Sequence, residues 1–281
     1  MRKYYILSLL ITGLFLQGFG QAKAKSRVPA KRAPIDTARF VLVDGGTYNM
    51  GTDQPVEVHE GPAHKVTVGS FYIAKKETTF EDFDKYTTEV KKDSIPSGTW
   101  GRGKQAVFMV SWLDAVEYCN WLSEKEKLSK CYLIKGQAVT YLDTANGYRL
   151  PTEAEWEFAA RGGNNSKGYQ YAGSADINAV GWYKDNGGGK AKPVAQKAPN
   201  ELGLFDMTGN VWEWVWDVYD GGYYKVSPTD NPKGPDSGPY RVMRGGAWYN
   251  DADHAKVFTR QDHYPTFRQN SVGFRVARTF Y

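Results

Sequence analysis

Hydrophobic and polar positions alternate most clearly in the first part of the chain. Phe40-Val41-Leu42-Val43 and Thr47-Tyr48-Asn49-Met50 flank Asp44-Gly45-Gly46. Asp-Gly favours the positive backbone angles of a tight turn, so the spacing predicts a β-hairpin. Val66, Val68, Phe71 and Ile73 within residues 64–73 predict a further strand. Three helices follow, each announced by a capping residue. Thr79-Phe80-Glu81-Asp82 opens the first, with Phe80, Phe83, Tyr86 and Val90 on one face. Ser111, with Asp114 three residues on, opens the second, whose inner face would hold Ala115, Val116, Cys119 and Leu122. Thr152-Glu153-Ala154-Glu155 directly after Pro151 is a capping box; Trp156, Ala159 and Ala160 line the helix it starts, and Gly162-Gly163 stops it.

Beyond Gly163 the pattern changes. Residues 164–281 are rich in Gly, Asn, Asp, Trp and Tyr, with short apolar runs and no long helical period. Such a composition suits short strands joined by long ordered loops, which outside the cell are commonly held by buried Trp or bound Ca²⁺. The periodicity therefore predicts an α+β domain with much irregular structure.

The start of the chain reads differently again. Arg2 and Lys3 precede an apolar run over residues 6–19, and Ala22-Lys23-Ala24 offers small residues at the two cleavage-recognition positions. The run is shorter than the roughly 20 residues of a spanning helix. It reads as a signal peptide over residues 1–24, the alternative being a retained N-terminal anchor. The protein is thus expected to be exported to a periplasm, a cell surface or the medium. No Cys near the cleavage site suggests a lipid anchor, and no transmembrane segment is expected after cleavage. Lys25, Arg27, Lys31 and Arg32 mark residues 25–37 as a basic disordered spacer. The folded domain is then expected over residues 38–281, with no linker or internal repeat dividing it.

Charge follows the same division. The whole chain carries a formal +5, but residues 1–33 hold seven Lys/Arg and no acid; removing these seven from 36 leaves 29 basic against 31 acidic residues, a net −2. A nucleic-acid binder carries its basic excess on the fold, so nucleic acid is not an expected partner. The two cysteines, Cys119 and Cys131, would sit at the end of the second helix and in the turn after it. Export permits a disulfide between them, and two free thiols remain the alternative. Two cysteines alone do not make a metal site.

Four stretches, in order, resemble the sulfatase-modifying-factor, or formylglycine-generating enzyme, family. The first is Asp44-Gly45-Gly46-Thr47-Tyr48-Asn49-Met50-Gly51 with Glu60-Gly61-Pro62-Ala63-His64. The second is Arg149-Leu150-Pro151-Thr152-Glu153-Ala154-Glu155-Trp156-Glu157-Phe158-Ala159-Ala160-Arg161-Gly162-Gly163. The third is Asn200-Glu201-Leu202-Gly203-Leu204-Phe205-Asp206-Met207-Thr208-Gly209-Asn210-Val211-Trp212-Glu213-Trp214. The fourth is Arg244-Gly245-Gly246-Ala247-Trp248 with Gly273-Phe274-Arg275. Together they span about residues 40–278, and four motifs in order are far more specific than one. The resemblance implies a single domain related to C-type lectins, with little regular secondary structure.

The resemblance also implies sites. In the family the Gly-Asn-Val-Trp-Glu-Trp region wraps a structural Ca²⁺; here Asp206 and Glu213 would supply carboxylates, and Gly209 and Val211 backbone carbonyls. The alternative reading has Asp206 capping a turn and Glu213 paired with an Arg. A second family Ca²⁺ site would fall around residues 178–186. The enzymes of the family hold copper through two cysteines five residues apart, between the Gly-Gly and Gly-Phe-Arg segments. Counting back from Gly273 places Ala252 and Val257 at those positions. Neither replaces the soft thiolate that Cu(I) requires, so formylglycine generation is not expected.

Residues 249–271 remain dense in Tyr, Asp, His, Asn and Arg. One reading is a recognition surface of Tyr249, His254, His263, Tyr264 and Phe267 for a protein or peptide partner, with Trp248 and Phe258 in the core. Relatives of this fold that vary this segment for binding are consistent with it. The other is a metal-dependent oxidoreductase, with His254, His263 and one of Asp251, Asp253 or Asp262 as a facial triad. His and Asp on loops are usually just solvated, so iron or copper is not the expected occupant. The favoured expectation is a non-catalytic binding or structural module on a Ca²⁺-stabilised scaffold.

Overall fold

The computed structural model describes residues 34–280 together with Met1. The expected signal peptide, and the expected spacer up to residue 33, lie outside the described residues. From Pro34 onward the chain forms one compact unit. Its contacts begin before the expected domain start at residue 38. The Asp36 carboxylate accepts from the Ala38 N–H, and Arg278 Nη1 donates to the Pro34 carbonyl.

Strands β1 (Phe40–Val43) and β2 (Gly46–Met50) do not pair with one another. β1 pairs antiparallel with β4 (Phe71–Ala74), and β2 with β3 (His64–Val68). Phe40 opposite Ala74, Val43 opposite Phe71, Gly46 opposite Val68 and Met50 opposite His64 all keep one register. The four strands are therefore a single long ribbon, bent where Asp44-Gly45 faces Gly69-Ser70, and the hairpin predicted at Asp-Gly is a kink instead. Steric demand explains the misreading. A Cβ on Gly45 would stand 2.6 Å from the Val68 carbonyl oxygen, so this glycine serves a close strand crossing rather than a turn. The single strand predicted over residues 64–73 is broken at the same bend.

Helix α1 (Phe80–Glu89) begins where Thr79 Oγ1 accepts the Asp82 N–H, and it buries Phe80, Phe83 and Tyr86. Val90, expected on that face, is exposed because the helix ends before it. Helix α2 (Trp112–Lys125) carries a reciprocal Ser111–Asp114 capping box and buries Ala115, Val116, Cys119 and Leu122. Phe83 stacks on Tyr118 across the two helices, with centroids 5.6 Å apart and planes 14° apart. Strands β5 (Tyr132–Lys135) and β6 (Ala138–Tyr141) form a hairpin, and the two-residue β7 (Tyr148–Arg149) leads into helix α3 (Glu153–Ala160). α3 has the predicted Thr152–Glu155 capping box, and Gly162, at φ 93°, closes it.

The chain then runs mostly through loops, with one short helix, α4 (Ile177–Val180). Four strands close the fold: β8 (Trp212–Val218), β9 (Arg241–Arg244), β10 (Arg260–His263) and β11 (Val272–Phe274) make a sheet in the order β10-β9-β8-β11, with β11 parallel to β8. The last strand, β12 (Ala277–Thr279), inserts between β4 and β7. The C-terminal strand thus sits in the N-terminal sheet, which ties the ends of the domain together. α3 packs between the ribbon strands β2 and β3 on one side and β8 and β9 on the other. Its Trp156 is fully buried in the main core with Val66, Phe71 and Ile73. The architecture is α+β, with extensive ordered loops.

Candidate functional site

The C-terminal segment is held from below by charges on α3. Arg244, at the end of β9, sends Nη2 to Glu157 Oε2 at 2.5 Å and to the Val257 carbonyl at 2.9 Å, and Nη1 to the Phe258 carbonyl at 3.1 Å. Arg260, at the start of β10, forms a two-point pair with Glu153, Nε to Oε1 at 2.6 Å and Nη2 to Oε2 at 2.9 Å. All four side chains are buried. Such pairs hold best when the remaining donors and acceptors are matched; here the Nη donors of Arg244 and Arg260 also reach loop carbonyls, while Arg244 Nε has no partner. The loop backbone therefore inherits the rigidity of the helix.

Above this base opens a cleft of about 570 Å³ whose wall includes Glu57, His59, Tyr249, Asp251, His254 and Gln261. Tyr249 is 39% exposed. Its ring lies edge-on to Trp248, which is tilted against Trp100 with centroids 5.6 Å apart. Phe258, expected in the core, is partly buried and packs against the main core; Trp248, also expected there, is partly buried and belongs to this aromatic ladder instead. His254 Nε2 lies 3.9 Å from Glu57 Oε1. His59 packs edge-on to Tyr219, and its Nε2 is 3.2 Å from the Arg260 carbonyl oxygen.

The remaining three expected binding residues form a separate cluster. His263 stacks flat on Phe267 (3.4 Å, 7°), Tyr264 packs against Tyr240, and Arg268 pairs with Asp114 at the start of α2. The five residues expected on one surface thus divide into Tyr249 and His254 in the cleft and His263, Tyr264 and Phe267 in this stack. The facial triad does not assemble. Asp251 pairs with Lys184, Asp253 with Lys256, and the His263 ring is stacked on Phe267. Burial pushes the Asp262 carboxyl up, against the pull of His59 and His263, and burial lowers His263. Among the described residues no three His, Cys, Asp or Glu side chains converge as a metal site would need.

Ala252 and Val257, expected at the positions of the enzymes' cysteines, are not among the residues lining the cleft. Val257 is fully buried in the main core, and Ala252 packs against the small cluster of Tyr171, Ile177, Val180 and Tyr183. Cys119 and Cys131 are free thiols, both buried. Cys119 lies within α2 rather than at its end, and Cys131 just before β5. Burial pushes both thiols up, Cys131 to about 11, so neither offers a thiolate near neutral pH.

Of the residues expected to hold Ca²⁺, Asp206 and Glu213 are buried and repel one another and Glu77 electrostatically. Glu213 Oε1 accepts Arg275 Nη2 at 2.5 Å, and Oε2 accepts Arg275 Nε at 2.6 Å and Trp156 Nε1 at 2.8 Å. Asp206 Oδ2 accepts the Ala195 N–H at 2.6 Å, while Oδ1 is buried with no partner. Glu77 accepts from Asn210 Nδ2 and from the Val211 N–H. Burial raises the Asp206 carboxyl to about 6; it also raises Glu77, with Asp206 and Glu213 adding to that effect. Glu213 is therefore an ion-pair partner first, as the alternative reading had it. Each carboxylate oxygen can accept about two hydrogen bonds, which leaves one lone pair on Glu213 Oε1 and all of Asp206 Oδ1. Those orphaned acceptors beside surplus negative charge fit a hard cation. At the second implied site, Asn178 and Asn186 bond to each other, and Lys197 Nζ takes the Asn178 carbonyl.

Several of these residues carry no local signal. His59, Glu57 and Trp100 reach the site from sequence-distant loops. Glu77, Glu153 and Glu157 read as ordinary helix or helix-preceding acids. Their pointer is that Arg244 and Arg275 lie in otherwise apolar motifs and need buried counter-charges; Arg260, in a polar run, gives none.

Comparison with known proteins follows the same outline. The family model for the sulfatase-modifying factor enzyme 1-like domain matches residues 25–280. The chaperone protein LppX of Paenibacillus barcinonensis is 34% identical over 277 residues, covering 85% of this chain and 89% of that protein. The formylglycine-generating enzyme of Mus musculus is 31% identical, covering 87% and 76%. Among solved structures, Treponema denticola variable protein 1 superposes with a TM-score of 0.73 at 30% identity, over 85% of this chain and 94% of that one.

Proposed function

Because the chain belongs to the sulfatase-modifying-factor family, we propose that it uses the family scaffold as an exported, non-catalytic recognition module for a polypeptide. The observation that carries this reading is the cleft. Exposed Tyr249 and half-buried His254 stand on loops whose backbone is pinned by Arg244 and Arg260, while positions 252 and 257 hold no thiol. Aromatic and His side chains with few rotatable bonds, set on a rigid base, lose little entropy when a partner orders them. Glu57, exposed on the same wall, favours a peptide bearing a basic residue. The names of two relatives, a chaperone and a variable protein, fit polypeptide binding better than oxidation of a cysteine. Export rests on residues 1–24. The reading includes a structural Ca²⁺, held by Asp206 Oδ1, the free lone pair of Glu213 Oε1 and the carbonyls of Gly209 and Val211.

An immobilised random-peptide array probed with the protein from Pro34 onward tests it. Wild type should retain a set of peptides enriched in Lys or Arg. The Tyr249→Ala/His254→Ala double variant should lose that set by tenfold or more, with its melting temperature within a few degrees of wild type. Peptide retention that survives the double variant excludes the cleft as the binding surface. Conversion of cysteine to formylglycine in a sulfatase-type peptide, read by mass spectrometry with added copper, would exclude the non-catalytic reading.

A further inference from the structure

A second cleft, of about 290 Å³, opens away from the C-terminal segment, with Tyr141, Trp216, Lys233, Asp236 and Arg241 among its lining residues. Its volume is near the lower end for small-molecule sites, about 300 Å³. Two aromatic rings build one wall. Trp216 is stacked from behind on Tyr132 at 14°, and Tyr141 packs beside it with centroids 5.3 Å apart. The Trp216 ring is only partly buried.

Arg241, which is partly buried, differs from four of the fully buried arginines of the domain. Arg149, Arg244, Arg260 and Arg275 each pair with a carboxylate. The Arg241 guanidinium instead lies 3.9 Å from the Trp112 ring centroid and 4.9 Å from that of Trp216. Its one protein hydrogen bond runs from Nη1 to the Trp216 carbonyl at 2.7 Å. Nε and Nη2 donate to no protein atom, yet they are not sealed off. Asp217, whose charge acts on Arg241, is poorly placed to help. Its carboxylate accepts the Glu153 N–H, and burial, with Glu153 nearby, pushes its pKa well up. Burial accordingly lowers Arg241 to about 10, where the paired arginines move the other way. A guanidinium with its faces against rings and its donor edge open is preorganised for a planar anion.

The rest of the cleft narrows the class of that anion. Asp236 lies exposed on the wall, and Asp143 is bridged to Lys233 at 3.9 Å. Carboxylates at the rim accept hydrogen bonds from hydroxyl groups, and they disfavour charge concentrated on adjacent groups, as in a polyphosphate, more than single carboxylates spaced one to a sugar ring. The Trp216–Tyr141 wall takes a ring with an apolar face. We propose that this cleft binds a uronic-acid unit of a saccharide. The carboxylate meets the Arg241 edge, the C–H face of the pyranose lies on Trp216 and Tyr141, and hydroxyls donate to Asp236. This site is independent of the polypeptide cleft.

Titration of intrinsic tryptophan fluorescence with trigalacturonate, checked by calorimetry on the same protein, tests the assignment. Trigalacturonate should shift Trp216 emission saturably, and a neutral trisaccharide of the same ring type should bind at least tenfold more weakly. Arg241→Gln should lose tenfold or more, while Tyr249→Ala/His254→Ala should bind as wild type. Arg241 also braces Trp216, so Tyr141→Ala on the surface hairpin provides the second variant. It should weaken binding severalfold while the protein still unfolds cooperatively, with a melting temperature lowered by no more than a few degrees by the lost contacts to Tyr132 and Trp216. Equal affinity for the neutral sugar, equal affinity for benzoate, or full binding by Tyr141→Ala would each overturn the proposal, as would no response to trigalacturonate.

Discussion

Helices α1 and α2 and the segments beyond Gly163 are built by different forces. In the helices, apolar faces meet one another and each start is fixed by a local cap: Phe83 on Tyr118, Thr79 to Asp82, Ser111 to Asp114. In the later segments the side chains that decide position are charged and buried. Arg244 and Arg260 meet Glu153 and Glu157, and Arg275 meets Glu213. Helix α3 joins the two regimes. Its cap and Trp156 belong to the first, while Glu153 and Glu157 on the same helix reach across to hold the second. Apolar contacts tolerate small displacements, because the force is non-directional. A two-point guanidinium–carboxylate pair does not, so it can set a long loop within a narrow range of positions. A recognition surface on loops needs that second kind of support.

The sharpest way to break this contrast is to remove one seam carboxylate. Glu153→Gln leaves Arg244 and Arg260 short of buried counter-charge, and Tyr224 Oη loses a charged acceptor. It should cost on the order of 3–5 kcal/mol in urea unfolding, since an uncompensated buried charge is among the largest single-residue penalties. A loss under 1 kcal/mol would mean that the ion pairs do not hold the later segments.

Asp206 gives the next effect and concerns Ca²⁺. Chelator should lower the melting temperature at pH 7.5, and Asp206→Ala should remove that difference; bound ligand at 100 times its Kd stabilises by about 2.7 kcal/mol. The sign with pH follows from the raised carboxyl. In chelator the folded state holds the Asp206 proton up to about pH 6, against about 3.9 for an ordinary Asp. This contribution is fully present below the ordinary value and is lost as pH rises toward 6, so chelated protein should lose stability across that window. Asp206→Asn should flatten the loss. Ca²⁺ should also flatten it, because cation binding holds the carboxylate ionised. An unmoved melting curve with chelator at pH 7.5 would leave the site without a cation.

The smallest effect tests the first regime. Thr152→Ala removes the α3 cap, in which Oγ1 accepts the Glu155 N–H, and should cost about 1 kcal/mol. If it cost as much as Glu153→Gln, local capping and the ionic seam would not be separable.

The contrast also explains what could be read in advance. All three helix starts were legible, because a cap and its partner lie three residues apart and report on each other. The α+β class and the loop-rich second half followed from the loss of period after Gly163. The Asp44-Gly45 turn misled because a glycine needed for a close crossing looks the same in sequence as a glycine needed for positive φ. Of the candidate site, Tyr249 and His254 were legible from their density in one segment. His59 and Glu57 in the cleft wall, and Trp100 against Trp248, were not, because their positions depend on distant chain reversals.

The sequence by itself determined the local capping, the order of the family motifs, the absence of cysteine at positions 252 and 257, and the near-neutral charge of the folded part. These are properties of composition or of residues a turn apart. Only the tertiary structure decided that residues 40–50 and 64–74 form one bent ribbon and that Glu153 and Glu157 face inward. It also decided that Glu213 is committed to Arg275 while Asp206 keeps an unpartnered oxygen, and that the partly buried Arg241 opens onto a cleft with no carboxylate bonded to it. The reason is physical. A charged side chain has no intrinsic preference for burial; it goes inside only where the fold brings an opposite charge or a set of carbonyls to meet it, and those partners lie far along the chain.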